Sequence, residues 1–256
     1  MKALAKKFLF AFTALAAGLI CLAAPLRAAE LTVSAAASLT NAFQEIKPLF
    51  EMTNPGLFVN FNFAASGPLL KQIAEGAPVD VFASADQETM DQAAAKKLID
   101  EASRADFAAN SLVMIVPADS KLNLKDPKDL TAPAVDRVAI GNPDSVPAGR
   151  YTRECLTQAG IYEALKPKFV LAESVRQVLD YVSRDEARAG FVYMTDAMIA
   201  KGKVTVVTEV SGHKPVTYPA ALVAASSKKA EAAKFLGFLR SDQGQAVLAK
   251  YGFTKP

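Results

Sequence analysis

The chain has 256 residues, 51% of them hydrophobic, with 29 Lys and Arg against 26 Asp and Glu. Four of the basic residues, Lys2, Lys6, Lys7 and Arg27, lie within the first 29 positions, so the remaining 227 carry 25 basic against 26 acidic groups. Such a near-neutral chain lacks the basic face a nucleic-acid binder needs, and with Cys21 in the leader and only Cys155 beyond it, no intrachain disulfide can form in the mature protein.

The first 29 residues read as a cleavable signal peptide: lysines, then an apolar run over residues 8–24, then small residues. Ile20 before Cys21 is bulky where a lipid-attachment site wants a small residue, so an export signal is expected, not a lipoprotein anchor. Residues 31–46, LTVSAAASLTNAFQEI, predict a short apolar strand, a three-alanine turn and a helix opening at Ser38. Leu39, Phe43, Ile46 and Phe50 recur at helical spacing. Ser38 is expected as the N-cap, a place where Ser serves the helix whether or not it binds anything. A helix start leaves N–H groups without partners and attracts negative charge.

The construction recurs. Residues 58–63 alternate as a strand, residues 64–68 turn the chain into a Ser66-led helix, and Gly76 stops it. Residues 79–83 form a third strand, with Asp86 capping a helix through Leu98. Alternating strands and helices predict an α/β lobe with a parallel sheet covered on both faces. Residues 112–116 are a strand ended by Pro117, and residues 118–133 read as loop with a turn of helix at 127–130.

A second lobe, entered near Ser111, repeats the pattern. Strands are expected at 138–140, 168–171 and 190–193, and helices at 148–159, at 175–183 capped by Ser174, and at 196–200 capped by Thr195. Two more strands, 204–207 and 216–224, flank Ser211, Gly212, His213 and Lys214, and helices follow at 228–240 and 242–251. The chain thus crosses twice between lobes, which predicts a hinge. The division is 30–110 completed by 218–256 for lobe 1, and 111–217 for lobe 2.

In open α/β sheets ligands sit beyond the carboxyl ends of the strands. The helix starts there carry Ser38, Ser66, Ala148 and Val175, two from each lobe, so a cleft between lobes could hold an anion through N–H and hydroxyl groups alone.

Six segments, AAASLTNAF (35–43), GAPVDVFASADQ (76–87), VPAGRYTRECL (146–156), AESVRQVL (172–179), GFVYMTDA (190–197) and KYGF (250–253), resemble the periplasmic molybdate-binding proteins of ABC importers. The likeness runs in order along essentially the whole mature chain. It implies the two Rossmann-like lobes of a type II periplasmic binding protein, with Ser38, Ser66, Ala148, Val175 and Tyr193 as oxyanion-binding residues. It implies a periplasmic protein that hands molybdate or tungstate to a membrane permease, with no enzyme activity, no cofactor and no direct cation ligand; a monomer is expected. Two departures stand out: Gly67 and Pro68 after Ser66, where hydroxyl residues can occur, and Arg150 after Ala148, expected to be solvated. A binder of another tetrahedral oxyanion such as sulfate shares the architecture. A serine hydrolase using Ser38 or Ser66 would need a base, and the sole histidine, His213, falls in an expected hairpin turn far along the chain.

Overall fold

The computed structural model describes residues 29–256, so all but the last residue of the expected export signal at 1–29 lies outside the described residues. No described helix is long and apolar enough to cross a membrane.

Two five-stranded sheets are built on one plan. The first orders its strands β2-β1-β3-β10-β4, from β1 (Ala29–Ala36), β2 (Leu57–Ala64), β3 (Val81–Ala83), β4 (Ala105–Asn110) and β10 (Val216–Leu222). The second orders them β7-β6-β8-β5-β9, from β5 (Leu112–Pro117), β6 (Val138–Gly141), β7 (Phe169–Ala172), β8 (Ala189–Tyr193) and β9 (Val204–Glu209). Three strands in each are parallel, as expected for strands joined through helices. The sheets are nevertheless mixed, not parallel throughout: β10 runs against β3 and β4, and β5 against β8 and β9. These two strands follow the passages between sheets, Asn110 to Leu112 and Glu209 to Val216, so each enters its sheet without a right-handed βαβ crossover.

The first sheet carries helices α1 (Thr40–Thr53), α2 (Ser66–Ala74) and α3 (Gln87–Ala95), and the second carries α4 (Pro147–Gln158), α5 (Tyr162–Leu165), α6 (Val175–Ser183) and α7 (Met194–Ile199). The chain ends in α8 (Lys229–Arg240) and α9 (Asp242–Lys250). The predicted apolar face of α1 is real: Leu39, Phe43, Ile46 and Phe50 are fully buried. Burying each such side chain contributes about 1.5–3 kcal/mol. Phe50 meets Phe235 of α8 edge-on, with centroids 5.3 Å apart at 87°, and Phe43 meets the same ring at 5.8 Å. The C-terminal helices are thereby fixed to the first sheet.

The structure corrects three local expectations. Ser38 is no N-cap: residues Ala37–Leu39 form a 3-10 turn, the α-helix starts at Thr40, and the Ser38 hydroxyl is engaged elsewhere. Thr195 does not cap its helix either; α7 starts at Met194, and Asp196 Oδ2 accepts the Tyr193 N–H at 3.3 Å. Strand β4, ADFAAN, was not expected, because alanines and a charge give little strand propensity. Its formation is tertiary, driven by burial of Phe107 and Ala108 against β10.

Candidate functional site

The turns at the carboxyl ends of the parallel strands meet between the sheets. Ser66 opens α2 because Ala65 before it is extended (φ −66, ψ 151), and its hydroxyl oxygen accepts the Ala85 N–H at 3.0 Å. Tyr193 ends β8, and its hydroxyl donates to the Ala85 carbonyl at 3.4 Å. Ser66 and Tyr193, from different sheets, therefore meet at one residue. Ser38 Oγ lies 3.0 Å from Tyr218 Oη, and the Tyr218 ring packs against the Tyr193 ring at 5.9 Å. Gly67 N–H donates to the Ser145 carbonyl at 3.1 Å, which sets the start of α2 beside the loop that leads to Ala148. Arg176, next to Val175, donates from Nη2 to the Ser38 carbonyl at 3.2 Å and from Nη1 to Asn41 Oδ1 at 2.8 Å. Contacts through Ala85, Tyr218, Ser145 and Arg176 thus draw the segments carrying Ser38, Ser66, Ala148, Val175 and Tyr193 into an open ring between the two sheets.

All five are buried, none above 4% exposed. Ala148 is the second residue of α4, after Pro147 at the position where a missing N–H costs nothing. Val175 is the first of α6, with Ser174 Oγ accepting the Gln177 N–H at 3.2 Å as the expected cap. First-turn amides have no helical acceptor. Among the described residues, those of Ser38, Ser66, Ala148 and Val175 donate to no group outside their own turns. Burial pushes the Tyr193 phenol well above its usual range, so it remains a donor.

Two arginines flank the ring, and each is matched by a buried carboxylate. Arg150 is not solvated, as its sequence position suggested; it is 5% exposed. Its Nε donates to Asp86 Oδ2 at 2.8 Å, and its Nη2 lies 2.7 Å from the same oxygen and donates to Thr89 Oγ1 at 2.6 Å. Asp86 also caps α3 as expected, accepting the Thr89 N–H at 3.1 Å, so one carboxylate both starts a helix and grips the opposite sheet. Arg176 Nε lies 2.6 Å from Asp196 Oδ1 as an ion pair without hydrogen-bond alignment. The ring keeps its donors while the charges around it cancel.

Burial raises the Asp196 carboxyl from 3.8 to about 6, and Arg176 only partly offsets it. With its folded value above its unfolded one, this group favours the folded state below about pH 4 and loses that contribution as pH rises through about 6. The unfolding free energy of Asp196→Asn relative to wild type is therefore expected to move in the variant's favour between pH 4 and pH 7.5. Urea titrations across that range check this; a constant difference would mean that Asp196 does not titrate there.

His213 stands apart from the ring. Its nitrogens face the Lys214 and Val210 carbonyls at 2.7 and 3.1 Å, and its ring packs on Tyr151. A surface cavity of about 710 Å³ lined by Arg153, Gln158 and His213 includes none of the five residues. Among the described residues, no group of three or more His, Cys, Asp or Glu is placed to hold a metal ion. Sequence reasoning missed Asn110, Arg176 and Tyr218, which reach the ring through partners more than 100 residues away, and Asp196, which accepts the Tyr193 N–H three residues before it.

The profile of the bacterial extracellular solute-binding proteins matches residues 31–254. The molybdate-binding protein of Escherichia coli K12 is 41% identical over 235 residues, covering 88% of this chain and 89% of that protein. The periplasmic molybdate-binding protein of Azotobacter vinelandii has a similar fold, with TM-score 0.76 at 24% identity over 88% of this chain and 99% of that one. The sulfate-binding protein SubI of Mycobacterium tuberculosis is as close in fold, with TM-score 0.78 at 19% identity over 89% of this chain and 87% of that one, so fold alone does not choose the anion. By the match along almost its whole described length and by its two-sheet architecture, the chain belongs to the bacterial extracellular solute-binding protein family.

Proposed function

We propose that this protein captures molybdate, and tungstate with it, in the periplasm and delivers it to the permease of an ABC importer. The two units, 30–110 with 218–256 and 111–217, close on the anion, and Ser38, Ser66, Ala148, Val175 and Tyr193 donate to its oxygens. The observation that carries this reading is the chemistry of the ring: buried N–H and O–H donors, with both nearby carboxylates already tied to arginines. Molybdate and tungstate are fully deprotonated near neutrality and only accept hydrogen bonds. Phosphate keeps a proton and would need an acceptor as well. Each hydrogen bond to a charged group contributes about 1.5–3 kcal/mol, so a handful supports tight binding after the cost of closure. The identity with the Escherichia coli protein supports molybdate over sulfate. On this reading the anion is carried unchanged; neither Tyr218 beside Ser38 nor the Ala85 N–H beside Ser66 is a base that could activate a serine nucleophile.

Calorimetry and thermal shift with molybdate, tungstate and sulfate test the proposal, since a ligand that binds only the folded protein raises its stability with concentration over Kd. Micromolar molybdate and tungstate are expected to stabilise the protein and sulfate is not. Equal response to sulfate would overturn the specificity.

The backbone contact at Val175 has its own test. Ser174 is extended at ψ 162, the conformation a following proline requires, so Val175→Pro removes one N–H and leaves the helix start intact. Loss of one charge-assisted bond is expected to weaken molybdate binding by about 10- to 100-fold, whereas Val175→Ala stays within about threefold of wild type. Equal losses in the two variants would argue against an amide contact.

A further inference from the structure

The direction of the hydrogen bond at Ser38 is fixed by groups outside the ring. Asn110 ends β4 at the first passage between sheets, and its Oδ1 accepts the Ser111 N–H at 2.9 Å. That bond settles which end of the amide is oxygen. The Asn110 nitrogen accordingly donates to Thr195 Oγ1 at 2.9 Å and to Tyr218 Oη at 3.2 Å. Tyr218 stands near the start of β10, just after the return passage, and is fully buried. Burial pushes its phenol far above the usual range, so it keeps its proton. Its oxygen accepts from Asn110, and its hydrogen-bonded neighbours among the described residues are that amide nitrogen, a donor only, and Ser38 Oγ. The Tyr218 proton therefore goes to Ser38. Ser38 Oγ accepts it and, among the described residues, has no protein acceptor for its own proton.

We propose that Asn110 and Tyr218 are positioning residues that make Ser38 a fixed proton donor toward the bound oxyanion, through the one-way series Asn110 N–H, Tyr218 O–H, Ser38 O–H. The proposal rests on the oxyanion reading and extends it. A series that runs one way rejects an anion carrying its own proton, because that proton would meet the Ser38 proton head-on. It also draws on both passages between the sheets, so the donor at Ser38 is set by the same segments that join the two units.

Asn110→Asp keeps the shape and the bond to Ser111 but turns the donor into an acceptor. Tyr218 would then donate to residue 110, Ser38 would donate to Tyr218, and the proton for the anion would be lost. Calorimetry with sodium molybdate is expected to show Asn110→Asp weakened by about tenfold or more and Tyr218→Phe by about threefold; in a Ser38→Ala background Tyr218→Phe adds no further loss and Asn110→Asp adds only the part due to its new charge. Losses that add in full in that background would overturn the proposal, since a merely structural role of Asn110 or Tyr218 is indifferent to the Ser38 hydroxyl. Urea unfolding of the ligand-free protein supplies a second readout through the Ser38→Ala and Tyr218→Phe pair: coupling supports the Tyr218-to-Ser38 bond, and strict additivity overturns it. If wild-type protein took up none of molybdate, tungstate or sulfate, the oxyanion reading would fail, and the urea pair would still decide the bond itself.

Discussion

Replacing Arg150 by Gln is expected to weaken molybdate binding by about 30- to 100-fold while the melting temperature of the ligand-free protein stays within about 3 °C of wild type. The guanidinium is anchored in α4 and reaches Asp86 and Thr89 at the start of α3, so its bonds join the two units. Removing one member of a buried ion pair normally costs about 3–5 kcal/mol, because the other charge is left without a partner or water. Here the penalty is smaller and falls on one state. Asp86 Oδ1 keeps the Thr89 N–H and the Ser84 hydroxyl, and when the cleft opens Oδ2 regains water. The open form thus barely registers the change, and the closed, ligand-holding form bears it. Asp86→Asn in the Arg150→Gln background should recover part of the affinity, since the stranded charge goes with it. If affinity held while the melting temperature fell, the pair would belong to the fold and not to closure.

That pair shows where the sequence stopped being informative. Asp86 is legible as a cap because Ser, Thr and Asp before a helix serve the amide two or three residues on, and that part of its role is local. Its other oxygen meets a residue 64 positions away, and no periodicity announces such a contact. The same division holds across the site. Apolar spacing predicts the buried faces of α1 and α6, Ser174 is legible as the cap of α6, and the strand-to-helix turns put Ser66, Ala148 and Val175 at helix starts, where they lie. The one local role the sequence offers Ser38, a helix cap, is not the one it has: its hydroxyl is held by a tyrosine 180 residues on. Tyr218 and Asn110 carry no local signal, because what distinguishes them is lying at the two passages where the chain changes sheets. Strand β4 failed for a related cause: its residues suit a sheet only once β10 has arrived beside them.

Gly67→Ala is expected to raise the melting temperature of the ligand-free protein by about 1–4 °C and yet to weaken molybdate binding by about 100-fold or more. Gly67 is the second residue of α2, where a methyl group suits the helix, and Ala is favoured over Gly in a helix by about 0.5–1 kcal/mol. Within its own unit the substitution is therefore benign. Across the cleft it is not: a Cβ on Gly67 would lie 2.5 Å from the Ser145 carbonyl oxygen and 3.0 Å from its Cα, both backbone atoms. The loop opposite has little room to yield. The Ser145 and Val146 amides both donate to the Asn142 carbonyl, at 3.1 and 2.8 Å, and behind them Gly141 and Gly149 already pack so closely that neither has space for a methyl group. Relief must come from parting the units by about an ångström. That stretches the Gly67 to Ser145 bond and every donor distance to an anion held from both sides, and hydrogen bonds weaken beyond about 3.2 Å. A stabilised protein that no longer grips its ligand separates closure from folding in one variant, with calorimetry reading the first and thermal denaturation the second. Wild-type affinity in Gly67→Ala would mean that the anion is held without the approach of Ser66 to the loop before Ala148.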